Sequence, residues 1–401
     1  MPCIRRMAAL CLLSAALLCV CSCGNNANPG TVEAATNSNE GNISYAPESA
    51  DPLASYTLAS YTLAGDTQPV HDPSIIRQGS TYYAFTTDVI GLPPANYLPI
   101  RCSQDKITWT ACGSIFPASM PPWVVAKIPG IIGLWAPDVS YFNGLYHVYY
   151  AGSTLGSQRS VIGLVTNTTL DPTNPAYKWI DQGELLESNP GDDFNAIDPN
   201  ILIDTDGSVW MTYGSYWSGI KQRQIDPSTG MLLASNPTRY NLATRPGVPN
   251  NPIEGSSLVH HGSYYYLFVS IEYCCNQNIA TDNYKEAVGR STSPHGPFVD
   301  ENGTPMMNGG ATVLLQSDTT WSGTGGATAY LDPTSGDSLI VFHALNLTQN
   351  GALYLCLRNL DWTNDWPSIG QQSRSERSDN CSPPKKSKAR VSVKLLRGLR
   401  V

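Results

Sequence analysis

Four acidic residues stand at the heads of apolar, strand-like runs: Asp72 before Pro73-Ser74-Ile75-Ile76, Asp138 before Val139-Ser140-Tyr141-Phe142, Asp198 before Pro199-Asn200-Ile201-Leu202, and Glu254 before Gly255-Ser256-Ser257-Leu258. A carboxylate drawn into apolar surroundings costs several kcal/mol unless it is paired, hydrogen-bonded or employed. Employed, such a set does acid–base work, in which an ionised carboxylate takes a proton and a carboxylic acid gives one. The structural alternative is a turn or cap acid ahead of proline.

The elements that must position these residues repeat along the chain. Asp72–Phe85, Asp138–Tyr150, Asp198–Tyr213, Glu254–Phe268 and Gly326–Phe342 share one theme: a small or acidic residue, apolar alternation, a Gly/Asn/Asp turn and a second strand rich in aromatic or aliphatic residues. Each reads as a β-hairpin. Successive copies lie about 55 to 75 residues apart, room for about four strands, as in a propeller blade that cannot bury both faces alone. Five such blades account for residues 52–370, an all-β, five-bladed β-propeller with the acids aimed at the central channel. Composition agrees, with 41% hydrophobic and 14% charged residues beside 34 Gly, 30 Pro and 21 Tyr, a balance that favours turns and strands over surface helices.

In order along the chain, His71-Asp72-Pro73-Ser74, Trp135-Ala136-Pro137-Asp138, Ala196-Ile197-Asp198-Pro199-Asn200 and Pro252-Ile253-Glu254-Gly255-Ser256 resemble the motifs of glycoside hydrolase family 43. Gly214-Ser215-Tyr216-Trp217-Ser218-Gly219-Ile220 and Tyr273-Cys274-Cys275 resemble its arabinanases in particular. The resemblance implies a five-bladed propeller and hydrolysis of 1,5-α-L-arabinofuranosidic linkages in arabinan with inversion of configuration. It makes Asp72 the general base, Glu254 the general acid, and Asp198 the carboxylate that orients the acid and raises its pKa. Inversion asks for two carboxyl groups about 6.5–9.5 Å apart, one on each face of the sugar, and a neighbouring carboxylate keeps the acid protonated near neutral pH.

The resemblance extends to other residues. Asp138 is either close to the sugar or a structural carboxylate bonded to backbone amides. Trp135 and Trp217 are stacking platforms for the apolar faces of sugar rings or core residues, and Asn195 and Ser215 line the cleft or serve as turn residues. In arabinanases a histidine placed like His343 helps to hold a calcium or other cation, largely through water; such an ion lowers nearby carboxylate pKa values. No organic cofactor is implied. His71 reads as structural, His260-His261 as a solvated turn, and Leu92–Trp123 as a long insertion between the first two blades that shapes a cleft end.

Outside the propeller, Arg5 and Arg6 precede an apolar run from Met7 to Val20, too short for a transmembrane helix and suited to a signal-peptide core within residues 1–23. Val20-Cys21-Ser22-Cys23-Gly24 resembles a lipoprotein box with Cys23 as the lipid anchor, and residues 24–51 read as a flexible tether. The expectation is an exported, monomeric protein that touches membrane only through that anchor. Five of the eleven cysteines fall in the signal region. Of the others, Cys102 and Cys112 flank a short Trp-containing segment and either pair as a hairpin staple or stay buried free thiols, and Cys274-Cys275 form a vicinal disulfide, form two separate bonds or stay free. Residues 371–401 hold nine Lys/Arg against two acids and read as a basic, disordered tail. Taking these from the totals of 24 and 32 leaves 15 basic and 30 acidic residues before Gly370, which disfavours nucleic acid as a partner of the folded part.

Two rival functions remain at this level. One is an exo-acting α-L-arabinofuranosidase or β-xylosidase of the same family, distinguished by product length. The other is a non-catalytic carbohydrate-binding propeller, which Glu254→Ala would leave unchanged while abolishing hydrolysis by an enzyme.

Overall fold

The computed structural model describes residues 63–88, 96–274 and 278–370. The signal segment, Cys23, the tether, Cys275 and the basic tail lie outside the described residues. The described chain is nearly all strand. The first sheet holds β1 (Ala64–Gly65), β2 (Ser74–Gln78), β3 (Thr81–Phe85), β4 (Tyr97–Ser103) and β5 (Thr108–Phe116); a short helix, α1 (Pro122–Lys127), leads to the second, β6 (Leu134–Phe142), β7 (Leu145–Gly152), β8 (Ser160–Asn167) and β9 (Ile180–Ser188). The third comprises β10 (Asn200–Ile203), β11 (Val209–Tyr213), β12 (Ile220–Ile225) and β13 (Tyr240–Ala243), and the fourth β14 (Ile253–His261), β15 (Tyr264–Ile271), β16 (Lys285–Ser291) and β17 (Thr312–Leu315). The fifth is β18 (Trp321–Leu331), β19 (Ser338–Asn346), β20 (Ala352–Thr363) and β21 (Trp366–Ile369).

Each sheet is an antiparallel meander, apart from the parallel pairing of β1 with β5 at the outer edge of the first. Turn chemistry sets the hairpins locally. Asn143 and Gly144, both at positive φ, join Phe142 to its partner Leu145, as the right-handed twist of paired strands requires. The middle strands are buried on both faces, so β7 and β8 are near-continuous apolar runs rather than alternating ones.

Five apolar clusters sit between consecutive sheets. Phe85 and Ile100 meet Val139 and Val148; Tyr149 and Leu164 meet Met211 and Ile225; Leu242 meets Leu258 and Leu267. Phe268 and Val288 meet Phe342, and Leu339 and Val341 meet Ile75 and Trp109. That last contact returns from the fifth sheet to the first, so the sheets close into a five-bladed propeller. Its seam is sewn by backbone: the Val70 N–H donates to the Leu353 carbonyl, and the Leu355 N–H donates to the Thr67 carbonyl at 2.8 Å.

Every innermost strand has, within it or just ahead of it, a residue in the left-handed region: Asp72 (φ 43°), Ala136 (41°), Asp198 (55°), Gly255 (56°) and Gly326 (58°). Two residues further on comes a polar side chain: Ser74, Asp138, Asn200, Ser257 or Thr328. Four of these reach the next blade. Ser74 Oγ accepts from the Val139 N–H (3.1 Å), Asp138 Oδ2 from Ile201 (2.9 Å), Asn200 Oδ1 from Leu258 (2.8 Å) and Ser257 Oγ from Ala329 (3.1 Å). This belt corrects the alignment of the acids. Asp138 is equivalent to Ser74 and Asn200, whereas the equivalents of Asp72 and Asp198 in the second, fourth and fifth blades are Ala136, Gly255 and Gly326. A shift of two residues leaves every side chain on the same strand face, so alternation alone does not fix that register.

The described part of the segment expected to be an insertion, residues 96–123, belongs to the blades instead. It carries β4 and β5, the outer strands of the first blade, joined by the Cys102–Cys112 disulfide with a Cα–Cα distance of 5.9 Å.

Candidate active site

Asp72, Asp198 and Glu254 all line one open cleft of about 1210 Å³ at the propeller axis. They enter it from three blades. Asp72 and Asp198 sit on left-handed kinks ahead of β2 and β10, a backbone conformation aspartate tolerates better than most residues. Glu254 is the second residue of β14, where a bulge between Glu254 and Ser257 re-aims the strand start.

The Asp72 carboxylate has a dense set of partners. His71 Nδ1 lies 2.7 Å from Oδ2, and Thr87 Oγ1 donates to the same oxygen at 2.7 Å while accepting from the Ala136 N–H. Burial alone would raise the Asp72 pKa, but His71, His343 and Thr87 outweigh it and hold the carboxyl down at about 2. The His71 pKa is raised in turn: burial opposes its charge, and Asp72 overcomes that effect.

The other two carboxyls behave oppositely. Burial and then the charges of Glu254 and Asp72 push Asp198 well above the ordinary carboxylate range, although the Gly255 N–H donates to its Oδ2 at 3.1 Å. Glu254 is also raised, by burial first and then by Asp72; Ser215 Oγ opposes this by donating to Oε2 at 2.7 Å. The charge of Glu254 is thus one of the causes that keep Asp198 in its acid form.

The loop after β11 carries Ser215, and it is tightly tied. Tyr216 and Trp217 both have positive φ; the Tyr216 N–H donates to the Ile253 carbonyl, and Asn251 Nδ2 donates to the carbonyls of Tyr216 and Trp217. The loop holds Ser215 against Glu254 and leaves Trp217 39% exposed at the cleft wall. Trp135 and Asn195 also line the cleft, with Asn195 Oδ1 accepting from Ser160 Oγ at 2.7 Å.

Asp138 is not among the lining residues. It is 4% exposed and accepts from Ser74 Oγ, Asn200 Nδ2 and the Ile201 N–H. Of its two expected roles the geometry fits the structural one, because partners on the first and third blades use both its oxygens.

His343 lies behind Asp72, stacked on His71 with ring centroids 3.8 Å apart. Its Nδ1 accepts the Asp72 N–H at 3.2 Å, so the neutral ring carries its proton on Nε2. Burial, then His71, pushes the His343 pKa down to about 3. His71, His343 and Cys274 present ligand-type atoms within 4.8 Å of one another. Calcium wants six to eight oxygens, whereas this group offers imidazoles already engaged by Asp72 and a sulfur tied up in a disulfide. These side chains suit an ion held through its water shell rather than by direct ligation. The partner of Cys274 lies outside the described residues.

Sequence reasoning passed over three residues. His71, read as structural, contacts Asp72 and lines the cleft; Thr87 bridges Asp72 to the second blade; Tyr284, 2% exposed, stands beside Glu254. Nothing in its spacing separates Tyr284 from the other twenty tyrosines. His260 and His261 are not simply solvated, since they stack on Tyr265 and Trp362.

Comparison with known proteins accords with this geometry. The family model described as "Glycosyl hydrolases family 43" matches residues 67–367. The chain is 37% identical over 302 residues to the extracellular endo-α-(1→5)-L-arabinanase 1 of Bacillus subtilis, covering 75% of this chain and 87% of that protein. Among solved structures, an exo-1,5-α-L-arabinanase from a bovine ruminal metagenomic library superposes with a TM-score of 0.70 at 37% identity, covering 78% of this chain and all of that one. The endo-arabinanase of Bacillus licheniformis superposes with a TM-score of 0.68 at 37% identity, covering 77% and 99%.

Proposed function

The chain belongs to glycosyl hydrolase family 43, and from that premise we propose that it is an inverting arabinan endo-1,5-α-L-arabinosidase. The observation that carries the mechanism is the opposed protonation of two carboxyls across one cleft: Asp72 held ionised and Glu254 held towards its acid form. Asp72 takes a proton from water, and that water's oxygen bonds to the anomeric carbon from one face. Glu254 gives its proton to the departing glycosidic oxygen on the other. Asp198 orients Glu254 and raises its pKa, and Trp135 and Trp217 offer apolar faces to the furanose rings. A calcium or other cation held through water near His343 would supply positive charge behind the base.

A chromatographic time course of products from linear 1,5-arabinan tests this reading. A spread of oligosaccharides from the outset is expected. Arabinose or one short oligomer alone would favour the second reading, exo action, for which the ruminal relative is the precedent. No product, together with Glu254→Ala binding arabinan as the wild type does, would favour a non-catalytic binder.

The same proposal covers location. Arg5, Arg6 and the apolar run to Val20 support export, and the box around Cys23 supports a lipid anchor on a monomeric enzyme. Release of Cys23→Ser from the membrane fraction is expected, and its retention would count against the anchor.

A further inference from the structure

Glu286, in β16, is fully buried between the fourth and fifth blades. It stands opposite Ser270 of β15 in register, and its Oε2 lies 2.7 Å from Ser270 Oγ. Its Oε1 has no well-formed hydrogen bond, the Ala327 N–H lying near the carboxyl without closing one of good geometry. An ionised carboxylate with one bare oxygen is a costly thing to bury, whereas a neutral carboxylic acid needs only an acceptor for its proton.

Ser270 decides where that proton points. Its Oγ accepts the Gly326 N–H at 2.8 Å, which leaves one lone pair and one proton. Tyr284 packs flat against Gly325, where a methyl group would stand 2.3 Å from its ring, and its phenol neighbours both Ser270 and Glu254. If Glu286 donates to the free lone pair of Ser270, the serine proton turns to Tyr284, and the phenol proton turns to Glu254.

We propose that Glu286 is a positioning residue: a neutral acid that fixes the direction of a hydrogen-bond chain running through Ser270 and Tyr284 to Glu254. The inference rests on Glu254 being the acid of the proposed hydrolysis.

Glu286→Gln keeps a donor in the same shape, and Glu286→Met keeps the volume without one. On linear arabinan, Glu286→Met should lose roughly tenfold in kcat with KM unchanged, the scale of one hydrogen bond to a charged group, and Glu286→Gln should recover most of it. In a Tyr284→Phe background, Glu286→Met should cost little more. Infrared difference spectra of the full chain at neutral pH should show a protonated-carboxyl stretch in the wild type that Glu286→Gln removes. Full kcat in a folded Glu286→Met, equal losses in the Gln and Met variants, additivity with Tyr284→Phe, or a missing band would each overturn the proposal. Should Glu286→Met fail to fold, the band decides. An inactive wild type that shows the band would refute the hydrolase reading while leaving Glu286 neutral as inferred.

Discussion

Gly326 presents a bare Cα to the carboxylate of Asp72. A methyl group built there would stand 2.3 Å from Asp72 Oδ1 and 2.7 Å from two atoms of the His343 ring, and the residue has φ 58°. Space and backbone therefore both demand glycine where the fifth blade meets the first.

From this contact follows a loss of activity without loss of fold in Gly326→Ala. The methyl would displace Asp72 by about an ångström, and misplacements on that scale cost roughly a hundredfold in rate. Steady-state kinetics on arabinan, alongside a melting curve, check it. Activity within a few-fold of wild type would mean that Asp72 is not held as the base against Gly326.

Ser215 and Asp198 act on Glu254 in opposite senses, so their variants should move the alkaline limb of kcat in opposite directions. The Ser215 hydroxyl favours the ionised form of Glu254; Ser215→Ala should raise its pKa and carry the limb to higher pH. Asp198→Asn removes the carboxyl that, on the proposed mechanism, raises the Glu254 pKa, so Glu254 should ionise earlier and the limb fall. Turnover drops in the second variant as well. Shifts in the same direction would count against the division of roles.

On the proposed mechanism the acidic limb belongs to Asp72. Its pKa is held at about 2 against burial chiefly by His71. In His71→Gln the charge is gone, the Asp72 pKa rises, and the base becomes protonated at a higher pH than in the wild type. The acidic limb of kcat/KM should therefore move up. An unmoved limb would show that His71 merely packs.

The five blades and the three carboxyls of the cleft were legible in the sequence because hairpin turns and strand-head acids are local features. Asp72, Asp198 and Glu254 need only their neighbours in sequence to be noticed. The register of Asp138 was not legible, because the bulge between Trp135 and Asp138 in β6 cannot be read from alternation and only the contacts of Ile201 and Ser74 reveal where Asp138 sits. Leu92–Trp123 read as an insertion since its strands alternate with polar residues and Pro at a blade's outer edge. Thr87 takes its role from Asp72 and from Ala136 on the next blade, His71 from the His343 ring of the fifth blade as well as from Asp72, and Tyr284 from Glu254 of β14, contacts for which spacing carries no signal.

Asp138 offers the sharpest separation of structure from catalysis. Asp138→Ala orphans the Ile201 N–H and the Asn200 amide in the belt, and should cost about 3 kcal/mol, since a buried donor left unsatisfied costs about 1–3 kcal/mol. KM and kcat of the remaining folded protein should stay near wild type, because Asp138 does not line the cleft. Its titration gives a second readout. Burial raises the Asp138 pKa to about 7, against hydrogen bonds from Ile201, Asn200 and Ser74. A carboxyl whose folded pKa is raised contributes its stability in full below the unfolded value of about 3.9, and that contribution is lost as pH rises through about 7. Unfolding free energy in urea should thus decline from pH 5 to pH 8, and Asp138→Asn, which cannot ionise, should flatten part of that decline. The flattening is partial because Asp88, accepting from the N–H groups of Leu98 and Leu134, is also raised to about 7 by burial. A large rise in KM for Asp138→Asn with unchanged stability would return Asp138 to the sugar.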